Sequence, residues 1–381
     1  MTVPPLVSIV MPNYNHAASL PLTIAAVRAQ DYAYTEIVFV DDCSTDASAA
    51  VAAQLGVTVR STPVNGGPSL ARNLGAAAAK GEILLFVDSD VELPPTTVTD
   101  AVALLRADPG AGAICGMLDA TPLVRDSLVQ ECRCLQAHYW RISSEGVVSF
   151  LFTALCAMRT DVFVEMGPFD ERLRETEEVE YGQRLSERYP IRLTSALHGR
   201  HRDEHRMLPL LSKVFRRCRL RVPLYARRRR SANGFETPSR ILGSVAALGA
   251  LVALPLIGVL AAVFGPLWLI GLLLPAGLFT GFVAGDAAMY RFVAQRRSGW
   301  FTIVFVAVQY VLNVAIAAGA AAGVVQWLFS PTFRALYNYS PQPAPRREAQ
   351  VSEAQVAEAQ VAEAAVTEAQ VAEVRVSGAA A

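Results

Sequence analysis

From residue 6 to about residue 120, short apolar runs alternate with longer segments of mixed polarity. Val7–Met11, Glu36–Val40, Val57–Arg60 and Glu82–Val87 are rich in β-branched and aromatic residues, and each reads as a strand. Between them, Ser19 to about Gln30, Asp46–Leu55 and Ser69–Lys80 read as helices, and Gly56 supplies a stop for the second. This alternation predicts a mostly parallel sheet covered by helices on both faces, which explains why Ile83–Val87 carries no polar residue. Residues 120–200 are less regular, with a helix predicted over Glu175–Leu185.

The pattern changes after residue 200. Between 200 and 240 there are 13 basic residues against three acidic ones, interleaved with Leu208, Leu211, Phe215 and Leu220. That combination predicts a basic amphipathic segment on an anionic membrane surface. Three uncharged apolar runs follow, Ile241–Gly265, Pro266–Gly285 and Trp300–Phe329. Each approaches or exceeds the roughly 20 residues that span a hydrocarbon core. Arginines precede the first run and separate the second from the third, so both loops are expected to be cytoplasmic, with the turn near Phe264-Gly265-Pro266 external. The tail is then expected on the far side. It repeats a five-residue unit from Glu348 to Glu373; five residues advance a helix by about 140°, so no stripe forms and disorder is expected. The expected organisation is an α/β domain over 1–200, the basic segment over 201–240, a membrane domain over 241–329 and a low-complexity tail over 330–381.

Composition narrows the classes. Apolar residues make up 52% of the chain and mean hydropathy is +0.32, which fits a membrane-attached protein. Formal net charge is zero, giving no support for a nucleic-acid partner, and the apolar runs outweigh reading the arginines as a nucleic-acid patch. The six cysteines have no zinc-ligand or Cys-x-x-Cys spacing and read as reduced core thiols. Met1–Pro5 has neither the basic region nor the apolar core of an export peptide.

The candidate chemistry begins at Phe86-Val87-Asp88-Ser89-Asp90. Two carboxylates one residue apart, at the carboxyl end of a sheet strand, can point at one divalent cation directly or through water. Alone, such a pair also fits a solvated turn. Three upstream segments change that weighting: Val7–Asn15, which breaks at Pro12 into a polar loop; Glu36–Asp46, a strand ending in Asp41-Asp42; and Asn65-Gly66-Gly67-Pro68-Ser69-Leu70-Ala71-Arg72-Asn73-Leu74-Gly75.

In this order the four segments resemble the family 2 glycosyltransferases, over about the first 200 residues. The resemblance implies a GT-A (Rossmann-like) nucleotide-sugar domain, followed here by three transmembrane helices. By that resemblance Asp90 is the direct ligand of Mg²⁺ or Mn²⁺, and Asp88 meets the ribose or, through water, the metal. Pro12, Asn13, Tyr14, Asn15, Asp41 and Asp42 contact the nucleotide of a UDP-, GDP- or dTDP-sugar donor, with a turn-stabilising role the alternative for Asp42. Arg72 either faces the nucleotide or holds Asp88. The family's Glu-Asp pair at the start of an acceptor-side helix is matched by Glu177-Glu178, with Glu in place of Asp at 178, after Gly167-Pro168-Phe169-Asp170-Glu171. Glu178 is the preferred base, Glu177 and Glu180 are its rivals, and a solvated acidic helix face is the plain alternative. Of His201 and His205, His205 is preferred near the diphosphate or metal. The first tryptophan after Glu178 is Trp268, so the Gln-x-x-Arg-Trp type of motif of processive synthases is missing and single-sugar transfer is implied.

The implied activity is inverting, metal-dependent transfer of one sugar to a lipid-linked or cell-envelope glycan acceptor. The implied setting is the inner membrane, among membrane lipids, with the catalytic domain cytoplasmic. The competing expectation is a catalytically silent membrane scaffold or glycan-handling protein that retains the fold; the intact Asp88, Asp90 and acidic cluster weigh against it.

Overall fold

A computed structural model describes residues 3–228, 237–264 and 271–338. The pentapeptide tail, the turn at 265–266, Trp268 and Arg229–Arg230 lie outside the described residues.

The first four strands, β1 (Val7–Asn13), β2 (Thr35–Asp41), β3 (Val59–Ser61) and β4 (Ile83–Val87), are parallel and lie in the order β3-β2-β1-β4. Three helices connect them: α1 (Leu20–Arg28), α2 (Ser48–Gln54) and α3 (Pro68–Ala78). Side chains of neighbouring strand residues enter opposite layers: Val10, Val40, Leu84 and Phe86 on one face, Ile9, Met11, Phe39 and Leu85 on the other. A strand buried on both faces has no polar position to spare. Gly75 lets α3 sit directly on β1, since a Cβ there would lie 2.5 Å from a Val10 methyl.

Beyond β4 the sheet turns mixed. After the short β5 (Val91–Glu92) and α4 (Thr97–Ala107), β6 (Ala113–Leu118) leads into α5 (Leu128–Ile142), β7 (Gly146–Val148) and β8 (Leu155–Arg159). β8 inserts antiparallel between β4 and β6. Helices α6 (Thr160–Met166) and α7 (Glu177–Leu185) precede β9 (Ile191–His201), which pairs parallel to β6 and antiparallel to β5 and β7. Connections run outward on either side of the β1/β4 boundary, so the loops after these two strands part and leave a crevice at their carboxyl ends.

The basic segment forms α8 (Met207–Arg228), and the apolar region forms α9 (Pro238–Phe264), α10 (Leu273–Gly285), α11 (Ala287–Arg296), α12 (Gly299–Phe329) and the short α13 (Pro331–Arg334). Among the described residues α9 and α12 are long and apolar enough to cross a membrane, and a third span results only if α10 and α11, bent by 72°, count as one. The bend falls just past the expected second run, whose residues 266–270 lie outside the described residues; the described helix, α10, is about 20 Å long against a hydrocarbon core of about 30 Å. Asp286 at the bend accepts from Trp140 Nε1 of α5 at 2.8 Å and pairs with Arg240 Nε at 3.0 Å, which ties the base of the α9–α10 pair to the α/β domain.

The third run also makes protein contacts along its length. Just before α12, Arg297 pairs with Glu131 of α5 at 3.3 Å. Along it, Gln309 meets Gln136 of α5, and a Cβ on Gly323 would lie 2.6 Å from the Arg219 carbonyl of α8. Gly319 makes the same close approach to Phe215, so the Gly319-Ala-Ala-Ala-Gly323 face lets two helix backbones touch. Past it, the Tyr337 hydroxyl donates to Leu220 O at 2.8 Å and lies 2.7 Å from Thr176 Oγ1. Helix α12, about 46 Å long, remains long and apolar enough to cross a membrane, with Trp300, Ile303, Val324 and Val325 exposed, while residues 331–338 contact the α/β domain through Tyr337.

Candidate active site

The loops after β1 and β2 are locked to each other. Asp41 accepts from Asn13 Nδ2 at 2.7 Å and from the Ser44 hydroxyl and amide at 2.6 and 2.9 Å. Asn15, in the left-handed region at φ 60°, accepts from the Thr45 amide at 2.7 Å. Asp41 is thus spent on holding the loops and is not among the residues that line the crevice, contrary to its expected place at the nucleotide. Its neighbour points the other way, as adjacent strand residues must. Asp42 lines the crevice, and its carboxylate accepts from the Gly66 and Gly67 amides at 2.9 and 2.7 Å and from Thr62 Oγ1 at 2.8 Å. Gly67, at φ 86°, caps α3 ahead of Pro68. Pro12, Asn13, Tyr14 and Asn15 line the same wall.

Arg72, on α3, lines the crevice and also holds Asp88, so both expected roles stay open. Its side chain is 5% exposed, and its guanidinium bridges Asp88 at 3.0 Å and Glu177 at 3.1 Å. It therefore clamps the strand-end carboxylate to the first turn of α7. Burial raises the Glu177 carboxyl, against the pull of Arg72. Glu177 is thereby tied, although it too lines the crevice. Glu180 is tied as well, to Arg184 at 3.2 Å. Glu178 lines the crevice, 3.9 Å from Arg217 Nη1. Acidic residues in this first turn also complement the positive end of the helix dipole.

The histidine at Asp90 is His201, at 3.2 Å, with His16 at 3.7 Å. Burial alone would raise the Asp90 carboxyl, but His201 and His16 hold it well below the usual carboxylate range. Burial would lower His201, but Asp90 raises it. His205, preferred from sequence, lines the crevice beside Glu204 at 4.0 Å instead. The difference arises because His201 ends β9, whose neighbour β5 follows Asp90 directly, with Val91 opposite His201. Nothing local in the sequence separates the two histidines; only this pairing does.

The crevice is a cavity of about 800 Å³. Asp88, Asp90 and His201 form one wall and Glu178 another, with Lys213, Arg216 and Arg217 of α8 at the rim. Part of the basic segment therefore faces this cavity, where sequence reading placed it on lipid. Among the described residues no three side chains stand together as a finished metal site. The donor types still suit a hard divalent cation: two carboxylates and an imidazole whose Nε2 lies 3.2 Å from Asp90. Phosphate oxygens of a ligand would complete the coordination.

Residues 8–142 match the profile described as glycosyl transferase family 2. Over those residues the α/β domain is similar to the family 2 glycosyltransferases. Similar curated proteins include the succinoglycan biosynthesis protein ExoO of Rhizobium meliloti, 31% identical over 51% of this chain and 56% of that protein. The poly(ribitol-phosphate) beta-N-acetylglucosaminyltransferase TarS of Staphylococcus aureus is 35% identical over 26% of this chain and 18% of its own length. The putative teichuronic acid biosynthesis glycosyltransferase TuaG of Bacillus subtilis is 34% identical over 23% and 36%. The chain thus spans little more than half the length of the first and less of the others. Among solved structures, a mannosyltransferase from Pyrobaculum calidifontis, in complex with GDP-Man and Mn²⁺, aligns over 87% of this chain and 89% of that one, at 18% identity and a TM-score of 0.51. That is a likeness of fold.

Proposed function

We propose that the protein transfers one sugar, with inversion, from a UDP-, GDP- or dTDP-sugar to a lipid-linked or cell-envelope glycan acceptor. The observation that carries this reading is that Asp88, Asp90 and Glu178 line one cavity at the β1/β4 crevice. Asp90 and His201, with Asp88, would hold Mg²⁺ or Mn²⁺. Such an ion supplies Lewis-acid neutralisation of the departing diphosphate. Pro12, Asn13, Tyr14, Asn15 and Asp42 bind and orient the nucleotide. Lys213, Arg216 and Arg217 offset its negative charge. An acceptor hydroxyl oxygen bonds to the sugar's anomeric carbon as the bond to the diphosphate breaks. The electron pair leaves with the nucleoside diphosphate, and Glu178 takes the hydroxyl proton. Attack opposite the leaving group inverts the centre. The roles named in ExoO, TarS and TuaG, in polysaccharide and envelope polymer synthesis, support this acceptor class.

The setting we propose is the inner membrane, with α9 and α10 in the bilayer and the α/β domain cytoplasmic. The contacts of Tyr337 support placing residues 331–338 on that same side.

The test is release of nucleotide from a panel of nucleotide sugars by the detergent-solubilised chain, with Mn²⁺ or Mg²⁺. Metal-dependent release of one nucleotide, reduced at least about a hundredfold in Asp90→Ala through loss of roughly 3 kcal/mol of charge stabilisation, is the expected result. Folded protein that neither binds nor turns over any member of the panel would sink the reading.

A further inference from the structure

Asp203 takes no part in the transfer proposed above, yet it lines the same cavity as His201, and its side chain is only 14% exposed. The segment that carries both residues is fixed at its backbone. His201 pairs with Val91 across β9 and β5. The Leu123 amide donates to His201 O and the Arg202 amide to Asp90 O, each at 3.0 Å. With the backbone held, the rotation of the His201 ring about its side-chain bonds is what remains to be set.

Two carboxylates face that ring, one at each nitrogen. Asp90 Oδ2 lies 3.2 Å from Nε2, and Asp203 Oδ2 lies 3.9 Å from Nδ1. Nδ1 is buried and makes no closer hydrogen bond among the described residues. Asp203 is anchored from several directions. Its carbonyl accepts from Gln130 Nε2 of α5 at 3.1 Å, and its Oδ1 accepts from the Glu204 amide at 2.8 Å. That leaves Oδ2 to face both His201 Nδ1 and, at 3.5 Å, Arg133 Nε. Arg133 is held in turn: its Nη1 donates to Gln136 Oε1 at 2.6 Å, and Gln136 meets Gln309 of α12.

Imidazole chemistry gives this arrangement a use. In the neutral ring one nitrogen carries the proton and the other a lone pair. A carboxylate at Nδ1 keeps the proton there and fixes the ring plane, which leaves the Nε2 lone pair facing Asp90 and a cation held by it. Without that carboxylate the ring can carry its proton on Nε2. It would then donate to Asp90, and both groups would be turned to each other instead of to a cation.

We infer that Asp203 is a positioning residue of the donor site, orienting His201 so that its Nε2 and Asp90 meet one divalent cation. This rests on the transferase reading above, which makes His201 a ligand. The plain alternative is that Asp203 only neutralises Arg133, and the two differ in what happens when Arg133 is removed as well.

The experiment is titration of Mn²⁺ into the detergent-solubilised full chain with UDP, GDP or dTDP present, bound ion being read by electron paramagnetic resonance against a protein-free blank. Asp203→Asn keeps the side chain's shape and removes its charge. It is expected to weaken Mn²⁺ binding about 10–100-fold, the usual effect of losing a ligand's outer partner, in protein that still melts cooperatively. In Asp203→Asn/Arg133→Gln the local charge is balanced again, and the weakening is expected to persist. Unchanged Mn²⁺ affinity in Asp203→Asn would overturn the inference. So would a return to wild-type affinity in the double variant, which would make Asp203 no more than the counter-ion of Arg133. Wild type and Asp90→Ala on the same preparation read the transferase proposal separately. No Mn²⁺ binding by wild type with any of the three nucleotides overturns both readings, whereas binding that Asp90→Ala abolishes and Asp203→Asn leaves intact overturns only this one.

Discussion

Replacing Arg72 by Met removes the guanidinium that joins Asp88 to Glu177. Asp88 is 28% exposed and can turn to water, whereas Glu177 is 4% exposed and cannot. Loss of one partner from a buried pair costs about 3–5 kcal/mol, because the other charge is left uncompensated. For a domain of this size that corresponds to a fall in Tm of roughly 6–20 °C. The loss has a pH dependence of definite sign. Burial already raises the Glu177 carboxyl, and without Arg72 it rises further, so the folded variant binds more protons than the unfolded one. Stability then falls as pH rises through the folded pKa, and the variant's deficit against wild type is larger at pH 8 than at pH 5. In Arg72→Met/Glu177→Met no buried charge remains, and such replacements are often neutral or better, so most of the lost Tm should return. The assay is thermal melting of the solubilised chain by far-UV circular dichroism at both pH values. A single variant melting within about 2 °C of wild type, or a double variant melting no higher than the single, would refute the reasoning.

Three other outcomes are expected. Glu178→Gln keeps nucleotide affinity and lowers transfer to a hydroxyl acceptor by about 10²–10⁴-fold, the usual contribution of a general base; unchanged kcat would exclude it from that role. A topology reporter fused after residue 338 should read the same side of the membrane as one at the N-terminus, since Tyr337 is bonded to the α/β domain; opposite sides would mean that α12 crosses. Gly323→Val drives a side chain into the Arg219 carbonyl and should destabilise by about 1–3 kcal/mol as the two helices part, whereas Gly258→Val, which meets nothing within 4 Å, should not; equal melting of the two would show that the helices do not touch there.

Much of this protein was legible one segment at a time. Strand and helix positions up to β4 followed from apolar runs and turn residues, with shifts of only a residue or two, as at β3, which starts at Val59; β5 to β9, and the antiparallel pairs they make, did not. Asp88 and Asp90 could be placed because a strand ending in carboxylates puts them at a sheet's carboxyl edge. The residues that sequence reading missed or misplaced share a different property: their roles depend on what another part of the chain brings to them. His201 meets Asp90 because β9 pairs with β5, and Asp41 turns inward while Asp42 turns out because the loops after β1 and β2 interlock. The third apolar run reads as a span by length and composition, and α12 keeps that character. Composition marks a helix that can cross a membrane; only the long-range packing of α12 on α5 and α8 shows which of its faces meets protein.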